Sequence, residues 1–233
     1  MTSSLAVGRT YLRKHWLWIL ANLGALFPLA WLIWDIGQGN LSVNPIDDIT
    51  DRTGKAALVL LMLSLACTPV NILIGFSQAL TIRKTLGLYA VLYASLHFLN
   101  FVGLDYGFNL NLIFGDALLT KRFVVVGLSA FLILIPLAIT STKGWMRRLG
   151  RNWKRLHQLV YAAGVLAVIH FLWLVKAAER WEPIIFAVIL TLLLAVRLPP
   201  VRKFLVGLRP RRSGKKRSAK PKGKGHPIPT EAA

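Results

Sequence analysis

The sequence has one cysteine, few acidic residues and none of the short motifs that mark hydrolases or nucleotide-binding enzymes. The single cysteine, Cys67, excludes an intrachain disulfide. No GxSxG, HExxH, GxxxxGK[ST] or GxGxxG pattern is present, so neither hydrolysis nor nucleotide binding has a motif to support it. We detect no internal repeat, and nothing indicates a second folded domain.

Apolar residues are abundant and come in long blocks. They make up 55% of the 233 residues, and the mean hydropathy is +0.55. Six blocks of about 16 to 20 residues approach the length that a helix needs to cross the hydrocarbon core. These blocks are residues 16–34, 56–74, 85–104, 123–140, 157–176 and 183–198, of which the last is the shortest. The sequence therefore predicts an all-α integral membrane bundle of six transmembrane helices.

Charge divides the chain into three parts. Residues 1–15 form a basic N-terminal segment, residues 16–200 the transmembrane domain, and residues 201–233 a basic tail. The net charge is +20, and eleven of the 29 basic residues follow Val201. The tail has too few apolar residues to build a core, so we predict that it is disordered and attracted to anionic lipid headgroups rather than to nucleic acid.

The basic residues also predict the orientation. They cluster at the N-terminus, between the second and third blocks, between the fourth and fifth blocks, and in the tail. With six helices, these four regions all lie on one side of the membrane, whereas most acidic residues lie on the other. Basic loops stay in the cytoplasm, so both termini are predicted to be cytoplasmic.

Two histidines lie deep inside membrane blocks, where an ionisable side chain is costly without a partner or a function. His97 follows Thr85 by 12 residues and His170 follows His157 by 13, so each lies roughly 18 to 20 Å from the inner face. Their two helices run in the same direction, and the histidines share one depth. Two imidazoles at one level are what a bis-histidine haem requires.

His157 belongs to a different level. It lies about 20 Å from His170 along one helix and projects about 140° away, so the two cannot bind one iron. Three alternatives stay open for His157: a haem with an unusual second ligand, a flavin or quinone site, or no cofactor. By depth alone, His15 is a candidate partner.

Other functions compete with a haem relay. A membrane histidine commonly makes hydrogen bonds between helices, and a proton-coupled transporter is the main alternative. A transporter would be expected to show repeats or intramembrane carboxylates, whereas the acidic residues here lie in loops or the tail. A haem protein without a dinucleotide module can only relay electrons, so we predict an electron-transfer subunit rather than a stand-alone catalyst.

Three segments resemble the MsrQ (YedZ) family, a branch of the ferric-reductase-like transmembrane proteins. They are NPIDDITDRTGKAALVLLMLSLACTP at 44–69, RKTLGLYAVLYASLH at 83–97 and TSTKGWMRRLGRNWKRLHQLVYAAGVLAVIHFLW at 140–173. The W-x-x-L-H motif with a second histidine 13 residues later is the specific part. The resemblance covers nearly all of residues 10–200.

The resemblance implies a haem b protein of the bacterial inner membrane. Such a protein would pass electrons from the quinone pool or a flavin-dependent donor to MsrP, a periplasmic molybdopterin-containing methionine sulfoxide reductase that repairs oxidised proteins. By motif, the family's haem histidines fall on His97, His157 and His170. FMN is also associated with the family, but no residue maps to it. Larger relatives carry two histidines on the third helix, whereas this chain has only His97 there.

Overall fold

The computed structural model describes residues 2–176 and 180–207, with side chains from His15 onward. Two π-helical turns, Phe101–Asp105 and Ile113–Ala117, interrupt an otherwise α-helical chain, and the described residues contain no strand. The helices are α1 (Thr2–Gln38), α2 (Pro45–Ile74), α3 (Ala79–Asn100), α4 (Leu110–Leu112), α5 (Leu118–Thr120), α6 (Arg122–Ile139), α7 (Lys143–Leu149), α8 (Arg151–Leu174), α9 (Trp181–Ala195) and α10 (Pro199–Gly207).

Within residues 2–176 and 180–207, five helices are long and apolar enough to cross a membrane: α1, α2, α3, α6 and α8. A sixth span results if α9 and α10, which are bent by 75° to each other, count as one. The predicted all-α membrane bundle is thus confirmed, and the shortest block corresponds to the 15-residue α9. Residues 201–207, at the start of the predicted tail, belong to helix α10 and differ there from the disorder predicted for the tail. Residues 208–233 and residues 177–179 of the last loop lie outside the described part of the chain.

Polar residues at both ends of α2 explain where it begins and ends. Asn44 caps its N-terminus by accepting a hydrogen bond from the Asp47 backbone N–H, and Pro45 occupies the first helical position. Gly75 ends it in the left-handed conformation, with φ of 75°. After this turn the chain runs back along α2 as α3.

The bundle is built from two antiparallel helix hairpins, α2 with α3 and α6 with α8. Helix α1 packs mainly on α3, and α9 packs on α8 and α2. The shared core contains Leu65, Ala90, Tyr93 and Ala163, each at most 1% exposed. Small residues at Ala90 and Ala163 bring the helices close together.

The two hairpins carry a repeated motif. Ala-x-x-x-Ala-x-x-His-Phe-Leu occurs at 90–99 in α3 and again at 163–172 in α8. The same sequence offset separates Gly54 in α2 from Gly127 in α6. The expectation that the chain has no repeat is therefore wrong. Among the matching positions, Ala90 and Ala163 are buried, whereas Leu99 is 55% exposed.

Charge distinguishes the two ends of the bundle. The described acidic side chains all lie at one end, which we call the acidic end: Asp35, Asp47, Asp48, Asp51, Asp105, Asp116 and Glu182. The opposite, basic end carries Arg83, Lys84 and the short helix α7. At the acidic end, Arg52 pairs with Asp35 at 2.5 Å and so ties α2 to α1.

Side chains from elsewhere in the chain bond to backbone groups of α2 and α1 near their internal prolines. Pro69 lacks an N–H, so the carbonyl of Leu65 four residues earlier loses its helical donor. Nη2 of Arg197 donates to that carbonyl at 2.5 Å, and Nη1 donates to the Tyr161 hydroxyl at 3.0 Å. Arg197 thus joins the end of α9 to α2 and α8.

A second insertion occurs beside Pro28 in α1. The Tyr93 hydroxyl accepts from the Leu29 N–H at 2.9 Å and donates to the Ala25 carbonyl at 2.7 Å. These two backbone groups would bond directly in an uninterrupted helix. The buried Tyr93 therefore connects α3 to α1 in the middle of the bundle.

Candidate functional site

The structure brings the two predicted histidines together. His97 of α3 and His170 of α8 have ring centroids 6.1 Å apart, and their planes are nearly perpendicular at 84°. Both side chains lie in the half of the bundle nearer the acidic end. Helix rise predicts that the two histidines share one depth in the membrane, and in the structure their rings are in fact neighbours across the interface of the two hairpins.

Equivalent hydrogen bonds orient both imidazoles. Nδ1 of His97 donates to the Thr50 carbonyl at 2.9 Å, and Nδ1 of His170 donates to the Phe123 carbonyl at 2.7 Å. In each case 47 residues separate donor and acceptor. Because a carbonyl only accepts, the proton lies on Nδ1 and Nε2 keeps its lone pair. This is the tautomer that a histidine ligand requires, with the orienting bond on its other nitrogen.

Glycines let each imidazole approach the neighbouring helix. A Cβ added at Gly54 would lie 3.0 Å from Nδ1 of His97, and one added at Gly127 would lie 2.6 Å from Nδ1 of His170. Each glycine follows the carbonyl acceptor by four residues, which is one helical turn. Larger residues at these positions would push the rings away from their acceptors.

A cavity of about 920 Å³ contains both histidines. Its walls are apolar toward the middle of the bundle, where Leu61, Ala90 and Leu134 line it. Aromatic rings of Phe98 and Phe131, stacked at 5.0 Å, form another part of the wall. Toward the acidic end the lining becomes charged, with Asp51, Lys55, Asp105, Lys121 and Lys176. The size and lining suit a large, flat cofactor with acidic substituents at one edge.

The pair has the dimensions expected of two axial ligands on one iron. A metal–imidazole bond is about 2 Å long, and the ligating nitrogen lies about 1 Å from its own ring centroid, so two rings on one metal are separated by about 6 Å. The observed 6.1 Å fits this distance. The described residues contain no group of three or more His, Cys, Asp or Glu that could hold a metal ion. A haem needs only two protein ligands, because the porphyrin supplies the other four.

His157 lies away from this pair, near the basic end of α8. Its Nε2 is 3.1 Å from the Thr140 hydroxyl, and its ring stacks on Trp153 at 4.1 Å. Trp153 in turn donates from Nε1 to the Thr140 carbonyl at 2.9 Å. In the repeated hairpin, the position equivalent to His157 is Lys84, so the repeat places no second imidazole there.

Comparison with known proteins gives the family. Residues 53–168 match the family described as ferric reductase like transmembrane component. A protein of Xanthomonas axonopodis pv. citri, named protein-methionine-sulfoxide reductase heme-binding subunit MsrQ, is 45% identical over 185 residues, which are 77% of this chain and 84% of the relative. A protein of the same name from Rhodospirillum rubrum is 44% identical over 198 residues, which are 84% of this chain and 91% of the relative.

The chain belongs to the MsrQ family. The resemblance found in the W-x-x-L-H motif is thereby confirmed, and the chain is a multi-pass membrane protein.

Four residues that shape the site were not predicted from the sequence. The carbonyls of Thr50 and Phe123 orient the imidazoles, and Gly54 and Gly127 make room for them. The signal was present in the sequence, since each glycine precedes its histidine by the same number of residues. It was overlooked because glycines are common in membrane helices.

A short segment, Leu110–Thr120, covers the cavity at the acidic end. Nζ of Lys121 donates to the Tyr106 hydroxyl at 2.8 Å, and this hydroxyl donates to Asp116 at 3.2 Å. The bond to Tyr106 raises the pKa of Lys121, whereas hydrogen bonds from Thr120 and Tyr106 lower the pKa of Asp116. This network ties the covering segment to the start of α6.

Proposed function

We propose that this protein is a transmembrane electron relay that holds haem b between His97 and His170. It passes electrons to a periplasmic methionine sulfoxide reductase of the MsrP type and so serves the repair of oxidised periplasmic proteins. The imidazole pair carries the proposal: two rings 6.1 Å apart, each with Nδ1 bonded to a backbone carbonyl. The names of the relatives, heme-binding subunits of a methionine sulfoxide reductase, support it.

The chain's own residues would prepare the site for rapid electron transfer. The carbonyls of Thr50 and Phe123 hold the two rings in place, so little rearrangement is needed when the charge of the iron changes. The apolar walls around Leu61 and Leu134 exclude water from one edge of the cavity. A haem held by His97 and His170 would supply one-electron redox chemistry.

The proposed orientation puts the basic end in the cytoplasm and the acidic end in the periplasm. The distribution of basic residues supports this orientation, with both termini inside and the chain in a bacterial inner membrane. The histidine pair then lies in the outer half of the bundle, close to the periplasmic partner. The donor would be a quinol or a flavin-dependent reductant on the other side. FMN remains a family expectation to which no residue of this site is mapped.

His157 stays a predicted ligand of a second haem at the basic end. Its Nε2 is hydrogen-bonded to Thr140, so an iron there would have to replace that bond. The equivalent position in α3 is Lys84, so a second ligand would have to come from outside the repeated hairpin, and His15 is the candidate by depth.

The absorption spectrum of the purified protein tests the relay. We expect a dithionite-reducible haem b that His97→Ala or His170→Ala largely removes, because each change deletes an axial ligand. His157→Ala is the matched control and should keep the spectrum of the pair. A double variant of His97 and His170 that retains full haem would refute the assignment. A wild-type protein without haem would instead favour the proton-coupled transporter.

A further inference from the structure

A buried asparagine, Asn100, ends α3 almost one turn beyond His97. It is 6% exposed and follows His97 by three residues, so the two side chains project from the same side of the helix. The π-helical turn Phe101–Asp105 begins directly after it. Asn100 is therefore the last α-helical residue between the proposed ligand and the chain that leads to the segment covering the cavity.

Asn100 binds the same turn of α2 that accepts the hydrogen bond from His97. Its Nδ2 donates to the Ile46 carbonyl at 3.2 Å and to the Thr50 hydroxyl. The Thr50 hydroxyl in turn donates to the Ile46 carbonyl at 2.7 Å. The backbone carbonyl of Thr50 accepts from Nδ1 of His97 at 2.9 Å. This turn thus holds the imidazole through a carbonyl, and Asn100 holds the turn.

The hydrogen bonds of Asn100 involve one side of its amide. Nδ2 donates to two oxygens, whereas Oδ1 is buried and has no hydrogen-bond partner among the described residues. A buried acceptor without a partner costs free energy, so an apolar residue would join α2 and α3 at lower cost. What an asparagine adds at this position is the pair of donors.

The two hairpins differ at this point. The sequence offset between the two histidines places Phe123 at the position of Thr50, and the Phe123 ring packs on His170 with centroids 6.0 Å apart. The same offset places Trp173, which is 55% exposed, at the position of Asn100. In the first hairpin an asparagine amide thus holds the acceptor turn, and in the second an aromatic ring from that turn contacts the imidazole.

We propose that Asn100 is a positioning residue that fixes the hydrogen bond from His97 to the Thr50 carbonyl and thereby lowers the reduction potential of the haem. The inference rests on the proposed relay, in which His97 and His170 bind the iron. A hydrogen bond from Nδ1 to a carbonyl raises the basicity of the imidazole, which stabilises ferric iron more than ferrous iron. A lower potential makes the reduced haem a stronger electron donor toward its partner.

Asn100→Leu, which removes both donors and keeps a similar side-chain volume, tests the proposal. Without Asn100 the turn around Thr50 is less constrained, and the bond from His97 weakens. We expect ferric haem to bind about tenfold less tightly and ferrous haem about threefold less tightly, at the lower end of the effects of residues that orient metal ligands. This difference raises the reduction potential by about 30 mV, since a factor of ten corresponds to about 59 mV. A redox titration followed by absorption spectroscopy measures the shift.

Electron paramagnetic resonance gives a second readout. The signal of a low-spin ferric haem depends on the angle between the two imidazole planes, which is 84° here. A His97 ring that is held less firmly should rotate and change this signal.

Ser64→Ala is the matched control. Ser64 is 7% exposed, and its hydroxyl also joins α2 to α3, by donating to the Arg83 carbonyl at 2.8 Å. This variant should unfold at a lower temperature than the wild type but keep its reduction potential and resonance signal. A residue that only joins the two helices would behave in the same way.

Asn100→Leu with the potential and resonance signal of the wild type would overturn the inference, as would an equal shift in Ser64→Ala. If Asn100→Leu does not fold, Thr50→Val replaces it, because this change removes the hydroxyl that Asn100 binds and keeps the backbone carbonyl. Thr50→Val should raise the potential by a smaller amount, since the bond from Asn100 to Ile46 remains, and an unchanged potential would overturn the inference. These outcomes leave the relay intact, whereas wild-type protein without reducible haem would refute the relay itself.

Discussion

Replacing Gly127 with alanine should displace one haem ligand while keeping the helix. The new Cβ would lie 2.6 Å from Nδ1 of His170, whereas ordinary contacts begin near 3.4 Å. The ring must therefore move by about 0.8 Å, which is larger than the deviation of about 0.2 Å that metal–ligand distances tolerate. The same movement stretches the bond from Nδ1 to the Phe123 carbonyl. Alanine favours helix over glycine by about 1 kcal/mol, so loss of α6 is not the expected cause.

The loss of an orienting contact around a metal ligand typically costs 10- to 100-fold in affinity, or about 1.4 to 2.7 kcal/mol. We expect the loss of haem affinity in Gly127→Ala to lie at the upper end of this range. Gly54→Ala should have a smaller effect, since its Cβ would lie 3.0 Å from the His97 ring. Gly24→Ala in α1 is the matched control, because no atom lies within 4 Å of its Cβ.

The assay is the ratio of haem to protein after purification, together with the spin state of the ferric iron. Loss of one axial histidine converts a six-coordinate low-spin iron into a five-coordinate high-spin one, which electron paramagnetic resonance detects. Full occupancy with an unchanged low-spin signal in Gly127→Ala would refute the reasoning, as would an equal loss in Gly24→Ala.

Three further predictions concern the scaffold. Tyr93→Phe should lower the stability of the protein in detergent by about 1 to 3 kcal/mol, because two backbone groups of α1 lose the inserted hydroxyl, and a thermal melt with an unchanged haem spectrum would show it. Arg197→Met should destabilise the protein less when Pro69 is already replaced by alanine, because the alanine N–H supplies the donor that the Leu65 carbonyl lacks. If the effects of the two substitutions on stability are additive in this double-mutant cycle, Arg197 does not replace the missing donor of Pro69. Because its folded-state pKa is lowered, Asp116 should stabilise the covering segment above its unfolded pKa near 3.8 and lose this contribution as the pH falls. Asp116→Asn should abolish that acid-dependent step in hydrogen exchange of Leu110–Thr120.

Much of the architecture follows from the sequence because its signals are local. The length of each apolar block predicts a membrane helix, and helix rise per residue places His97 and His170 at one depth. Charge in the loops predicts the orientation, and the W-x-x-L-H motif indicates the family. None of these inferences requires knowledge of how one helix is rotated against another.

Only the tertiary structure decides how the helices face each other. The 6.1 Å between the two rings, the carbonyl partners of each Nδ1 and the contacts at Gly54 and Gly127 depend on the rotation and packing of four helices. Side chains interlock across these interfaces, and residues far apart in the sequence set the fit. The depth of a residue along its helix can be calculated from the sequence, whereas the residues that face it on other helices are decided by packing.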